Sequence, residues 1–179
     1  TIEYDGTDYC GWQIQPNGIT IEEILNRQIS KLTGEDIRII GASRTDSGVH
    51  ALGNVAVFDT ESRIPGDRFA YALNQKMPED IVIVRSDEVQ IDWHPRYQNE
   101  ISKTYEYHIY NAKVRNPLKN RYSTFVSFDL DVEKMRQGAK YILGEHDFAS
   151  FCNVRTNAKD TVRTVHEITI KEIPMDKLQ

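Results

Sequence analysis

Cysteine is nearly absent from this chain of 179 residues: there are two, Cys10 and Cys152, far apart and without Cys-x-x-Cys spacing. That excludes a disulfide-stapled scaffold and a zinc ribbon, and it fits a reducing compartment. Long hydrophobic runs are missing too. No apolar stretch approaches the roughly 20 residues of a membrane-spanning helix, and the opening Thr1-Ile2-Glu3-Tyr4 lacks a signal-peptide core. A cytoplasmic protein is expected. There is no Gly-rich phosphate loop and no nucleophile-elbow pattern. Positive charge is not in excess either: 22 Lys and Arg against 27 Asp and Glu leave a net charge of −5. Taken as a sum, that is unfavourable for a nucleic-acid binder, because phosphate contacts come from Lys and Arg.

What is present is the usual material of a globular protein, 39% hydrophobic and 27% charged, enough to build a core in one domain or two small halves. The basic residues are not evenly spread. Lys103, Lys113, Arg115, Lys119 and Arg121 fall within residues 103–122, where Glu106 is the one acidic residue. Such a segment is either a solvated face or an RNA contact with salt-sensitive affinity.

The chain is organised around Gly41-Ala42-Ser43-Arg44-Thr45-Asp46-Ser47-Gly48-Val49-His50-Ala51. Apolar runs on either side, Ile37–Ile40 and Val55–Phe58, predict two strands flanking a polar loop. Asp46-Ser47-Gly48 has the residue types of a tight turn. Taken alone, Asp46 is either the cap of a surface turn or an outward-facing carboxylate fixed for catalysis. His50 has no second ligand at metal spacing. A hydrolytic triad of Ser43 or Ser47, His50 and Asp46 fails because side chains this close in sequence rarely fall in line.

Elsewhere, Thr20 with Glu23 forms a capping box, and Ile21, Ile24, Leu25, Ile29 and Leu32 repeat at helical spacing up to Thr33-Gly34. A second helix is expected from Pro65 to about Met77, ended by Pro78, then a strand at Ile81–Val84 in a sheet interior. In Lys103–Tyr110, Tyr105, Tyr107 and Ile109 would share one face of a strand. That row is half-buried packing or a platform for an unstacked base. Trp12, between Gly11 and Gln13, has the same two readings, with packing favoured. A third helix is expected from the Asp131 cap through Leu143 to Gly144, then a polar loop over Asn153–Asp160 and a strand from Arg163 to about Ile173. Helices mixed with strands, without regular βαβ spacing, predict an α+β fold with a largely antiparallel sheet.

The Gly41–Ala51 stretch resembles the signature of the TruA-type tRNA pseudouridine synthases. Tyr4-Asp5-Gly6, Gly11-Trp12-Gln13, Asn74 with Pro78, Asp80 and Ile81, Lys103-x-Tyr105-x-Tyr107 and His146-Asp147-Phe148 are similar to further segments of that family. The resemblance implies a central, largely antiparallel or mixed sheet flanked by helices and built from two related halves with a cleft between them. Those halves are expected at 1–100, with the Asp loop, and 101–179, incomplete, with the Tyr strand and basic loop. It also implies that Asp46 is the catalytic carboxylate, that Tyr105 packs against the flipped uridine, and that Arg44 supports the everted nucleotide, although an ion pair to Asp46 is the plainer reading of Arg44. Structural roles are expected for Asn74, Pro78, Asp80 and Ile81.

The implied reaction isomerises uridine to pseudouridine on the 3′ side of the tRNA anticodon stem-loop. It involves no redox change, so no cofactor and no metal are expected. By the same resemblance the enzyme is a homodimer and each tRNA spans both subunits. Family members continue into a Met-Val-Arg helix, whose Arg pairs with the catalytic Asp, and a final Gly-Leu strand. Neither follows here, so the chain is expected to be C-terminally truncated or of divergent length; absence of that Arg would leave Asp46 without a charge partner, and truncation could leave the chain inactive. The competing expectations are a non-catalytic RNA-binding module and a pseudouridine synthase acting on another RNA.

Overall fold

Thr20 shows how local chemistry starts this fold. Its backbone is extended (φ −126°, ψ 159°) and its hydroxyl accepts the Glu23 N–H at 3.3 Å, so helix α1 runs Ile21–Thr33. Gly34, at φ 79°, ends it and returns its N–H to the Ser30 carbonyl at 2.9 Å. The face predicted to be apolar is buried at Ile21, Ile24, Leu25 and Ile29. Each such side chain contributes about 1.5–3 kcal/mol by leaving water.

A computed structural model of the chain describes residues 1–97, 102–152 and 160–173. Two compact units are distinguished, Thr1–Tyr105 and Glu106–Gln179. In the first, strand β1 (Ile2–Tyr4) lies at the centre of a three-stranded antiparallel sheet, between β3 (Ala51–Asn54) and β5 (Ile81–Ile83). A second antiparallel pair joins β2 (Ile40–Gly41) to β4 (Ala56–Val57). Helix α1 packs its apolar face into one core with Ile2, Tyr4, Trp12, Ile81 and Ile83, and with Phe69 and Leu73 of helix α2 (Phe69–Asn74).

The second unit holds the parallel pair β6 (Ile109–Asn111) and β7 (Thr124–Val126), helix α3 (Val132–Ala139) and the antiparallel pair β8 (Gly144–Asp147) and β9 (Val162–Val165). Asn111 organises it, donating to the carbonyls of Val126 (2.9 Å) and Phe128 (2.7 Å) and accepting from Leu130 N–H at 3.3 Å. Asp131 caps α3 by accepting the Lys134 N–H at 3.0 Å. Helices and predominantly antiparallel strands therefore make a mixed α/β architecture.

Several elements differ from expectation for identifiable reasons. Ile37 and Ile39 are buried but not in a strand. Their N–H groups donate at 2.9 Å to the Ser30 hydroxyl and the Asn26 carboxamide of α1, which replace a ladder partner. Strand β5 is the outer strand of its sheet, not an interior one. Asn74 takes both backbone groups of Ile83, at 2.9 and 2.8 Å, and so covers that edge. The second helix is shorter than predicted: a 3₁₀ turn at Gly66–Arg68 precedes α2, which stops at Asn74. The third helix stops at Ala139, and tighter i→i+3 bonds carry the chain through Lys140, Tyr141 and Ile142. Gly138, a poor helix former, lies at this break. The last strand closes at Val165. The expected polar loop at Asn153–Asp160 lies, except for Asp160, outside the described residues.

Candidate active site

The loop between β2 and β3 is held from below by the segment that follows β1. Its root is set at Gly41, where a Cβ would lie 2.5 Å from the buried indole of Trp12, and at Ala42, whose N–H donates to Val55 O at 2.7 Å. Trp12 is 1% exposed, so packing is its role. The Trp12 N–H donates to Thr45 O at 2.9 Å. Gly11, at φ 81°, lets the two chains approach this closely: a Cβ there would meet Thr45 O at 2.6 Å.

The turn itself is Asp46–Val49. Val49 N–H donates to Asp46 O at 3.1 Å, and Gly48 sits third with φ 77°. Among the described residues no non-glycine has positive φ, so Ser47 does not, and the pattern is that of a type II turn. The far side is fixed to Tyr9, whose carbonyl accepts from Gly48 N (3.3 Å) and the Ser47 hydroxyl (3.2 Å). The phenol of Tyr9 donates to Asp80 at 2.6 Å. Burial first, then the Asp80 carboxylate, pushes its pKa up. His50 closes the loop, its Nδ1 lying 3.2 Å from Gly6 N and 3.0 Å from Asp5 Oδ1. One nitrogen cannot bond both in one protonation state. Bare, it accepts from Gly6; protonated, it donates to Asp5.

At the head of this framework Asp46 and Arg44 are both exposed. Among the described residues neither side chain enters a hydrogen bond or ion pair, so the Arg44–Asp46 bridge is not formed. An exposed carboxylate on a backbone held from two sides can approach a substrate as nucleophile, base or charge stabiliser without first breaking a protein contact.

The other residues singled out in the sequence are less gathered. Lys103 reaches the loop root, donating to Ala42 O at 3.4 Å. Tyr105 and Tyr107 are 68% and 84% exposed, and no strand includes them. The predicted Tyr face is therefore absent as sheet, because pairing starts only where His108 O accepts the Thr124 N–H at 2.8 Å and β6 begins at Ile109, while residues 102–107 make no ladder bond among the described residues. In the second unit Lys113 pairs with Asp129 at 2.6 Å, and Arg115 stacks over the Phe125 ring at 5.0 Å. Arg121 is exposed and Lys119 half-buried.

Sequence reasoning missed four residues that shape the site: Tyr4, Tyr9, Asn54 and Arg96. Arg96 Nε donates to Gly41 O at 2.7 Å, beside fully buried Pro95. Asn54, an amide directly before the apolar Val55–Phe58 run, was the one signal of the four that could be read from sequence.

A family model described as tRNA pseudouridine synthase matches residues 1–98 and 139–179, a span that includes the whole loop and its supports. The chain is 50% identical over 170 residues to tRNA pseudouridine synthase A of Acetivibrio thermocellus, covering 95% of this chain and 69% of the relative. It is 44% identical to the protein of that name from Thermoanaerobacter sp. strain X514, covering 96% and 70%. For that of Ruminiclostridium cellulolyticum the identity is 45%, over 100% of this chain and 74% of the relative. At such identity over such length, with the loop inside the matched span, the chain belongs to the tRNA pseudouridine synthase family.

Proposed function

We propose that this protein converts uridine to pseudouridine on the 3′ side of the tRNA anticodon stem-loop, with Asp46 as the catalytic carboxylate. It is an isomerase of tRNA uridine, like the synthases it matches. In the reaction the N1–C1′ glycosidic bond breaks, the base turns, and C5 bonds to C1′. The C5 proton leaves and N1 gains one, so atoms and charge balance with no redox partner. One carboxylate beside C1′ suffices to receive or stabilise the sugar during the turn. The observation that carries the assignment is that Asp46 is exposed and unengaged at the head of a turn whose backbone is tied to Tyr9 and Trp12.

The remaining roles are those the family resemblance implies, and the residues have the chemistry for them. An unstacked uridine, whose extrusion costs a few kcal/mol, needs an aromatic surface, and exposed Tyr105 offers one. Exposed Arg44 has a planar fork suited to phosphate. Lys103, Lys113, Arg115, Lys119 and Arg121 supply further backbone contacts, and the enzyme works as a homodimer.

Carbodiimide labelling and primer extension on unmodified tRNA test this reading. Wild-type protein should give stops in the anticodon stem, and tRNAs without uridine there should give none. Asp46→Asn should abolish the stops, by roughly a thousandfold or more in rate, while tRNA affinity stays within about twofold. Turnover surviving in Asp46→Asn would sink the catalytic assignment. Stops at another position would replace the substrate site, and salt-sensitive binding without stops would mark an RNA-binding module.

A further inference from the structure

Asn54 is 7% exposed, and a buried amide must place both of its N–H groups. One goes to Ser43 O at 3.1 Å and the other, more weakly, to the Tyr4 phenol oxygen at 3.4 Å. Its own oxygen accepts from Val55 N at 2.9 Å. The Tyr4 phenol oxygen also lies 2.8 Å from Thr45 Oγ1, and either hydroxyl can be the donor. The bonds thus form one chain that links Asn54 through Tyr4 to Thr45. They begin on β3 and β1, which pair directly, with Ile2 opposite Asn54. They end on Ser43 and Thr45, the two neighbours of Arg44, and Thr45 immediately precedes Asp46.

We propose that Thr45 is a positioning residue for the isomerisation: its hydroxyl, held by Tyr4 and Asn54, locks the Arg44–Asp46 backbone to the central sheet so that the carboxylate meets C1′ in register. The proposal rests on the catalytic reading of Asp46. Thr45 is held twice over, by this hydroxyl and by its carbonyl, which takes the Trp12 N–H. The ties to Trp12 and Tyr9 hold the loop by its backbone. The hydroxyl adds a side-chain tie to the central sheet at the residue next to Asp46. A displacement of about 1 Å at a catalytic group is enough to cost on the order of a hundredfold in rate. Tyr4 lies 41 residues from Thr45 and 50 from Asn54 in sequence, so only the folded sheet brings it to them.

The test uses the protein as its gene encodes it. Thr45→Val keeps the shape and removes the hydroxyl; Thr45→Ser keeps the oxygen. Tyr4→Phe cuts the bond from the other end. The measurements are the single-turnover rate at saturating tRNA, tRNA affinity and the thermal midpoint. Thr45→Val and Tyr4→Phe should each slow turnover by about tenfold or more, with affinity within twofold. Thr45→Ser should remain within about threefold of wild type. Because both changes break one bond, the double variant Tyr4→Phe/Thr45→Val should be no slower than the slower single.

Thr45 is only half-buried, so its two variants keep the comparison usable even if Tyr4→Phe folds poorly. Wild-type turnover in Thr45→Val, equal losses in Val and Ser, or losses that multiply in the double variant would each overturn the proposal. Asp46→Asn runs alongside. If it is inactive while Thr45→Val is unimpaired, the positioning role alone fails. If Asp46→Asn turns over normally, the catalytic reading beneath it fails.

Discussion

Gly11 and Tyr9 carry much of what holds the Asp46 turn, and both act through the backbone. Gly11 works by lacking a side chain: its left-handed backbone, at φ 81°, passes so close to the loop that a Cβ would stand 2.6 Å from Thr45 O and 3.1 Å from the Asp46 carbonyl carbon. Gly11→Ala therefore meets two penalties, a left-handed conformation costing about 1–3 kcal/mol and a collision with backbone that cannot swing aside. The expected result is a loss of stability of at least that size in denaturant titration. Turnover should also fall further than the lost folded fraction explains, because the atoms displaced belong to the turn that carries Asp46, the proposed catalytic carboxylate. The Asp46–Val49 turn was legible in the sequence, since Asp-Ser-Gly has the residue types of a tight turn. Tyr4 was not, because nothing in an apolar–polar–apolar strand shows that its phenol will meet Thr45.

Helix α1 was readable from end to end because its cap, its apolar period and its glycine stop agree. Thr20 is fully buried as well as capping. Thr20→Ala should cost about 1–2 kcal/mol, read as a shift in the denaturation midpoint with little change in slope. Where local signals were weaker, side chains elsewhere decided the outcome. The Ile37–Ile40 run has strand composition, yet Ser30 and Asn26 take the N–H groups of Ile37 and Ile39 and leave only Ile40 and Gly41 to pair. Asn74 ends α2 early because its side chain is committed to the backbone of Ile83. The Tyr105–Ile109 alternation likewise shows a capacity for strand that becomes strand only where a partner edge exists.

The two units differ in how they are held together. The buried apolar residues all belong to the first, whereas no described residue of Glu106–Gln179 is buried. Local stability follows buried apolar contact. Amide hydrogen exchange should therefore show β1, α1 and β5 opening only with global unfolding. Amides of α3, β8 and β9 should exchange roughly a hundredfold faster or more in this 179-residue chain. Uniform protection across both units would contradict this. Composition announced the overall character of the protein, but not this asymmetry. Residues 106–173 carry apolar side chains enough, and burial depends on what each one is brought against.

The closeness of Trp12 to Gly41 has an optical consequence. The chain has only two tryptophans, Trp12 and Trp93, so Trp93→Phe leaves a single indole. That indole is shielded from water, stands 6.1 Å from the Tyr4 ring and presses on the glycine where the Asp46 loop departs. Its emission wavelength and lifetime become a built-in gauge of whether the loop is seated. The gauge can be read in a cuvette while RNA arrives, without attaching any dye.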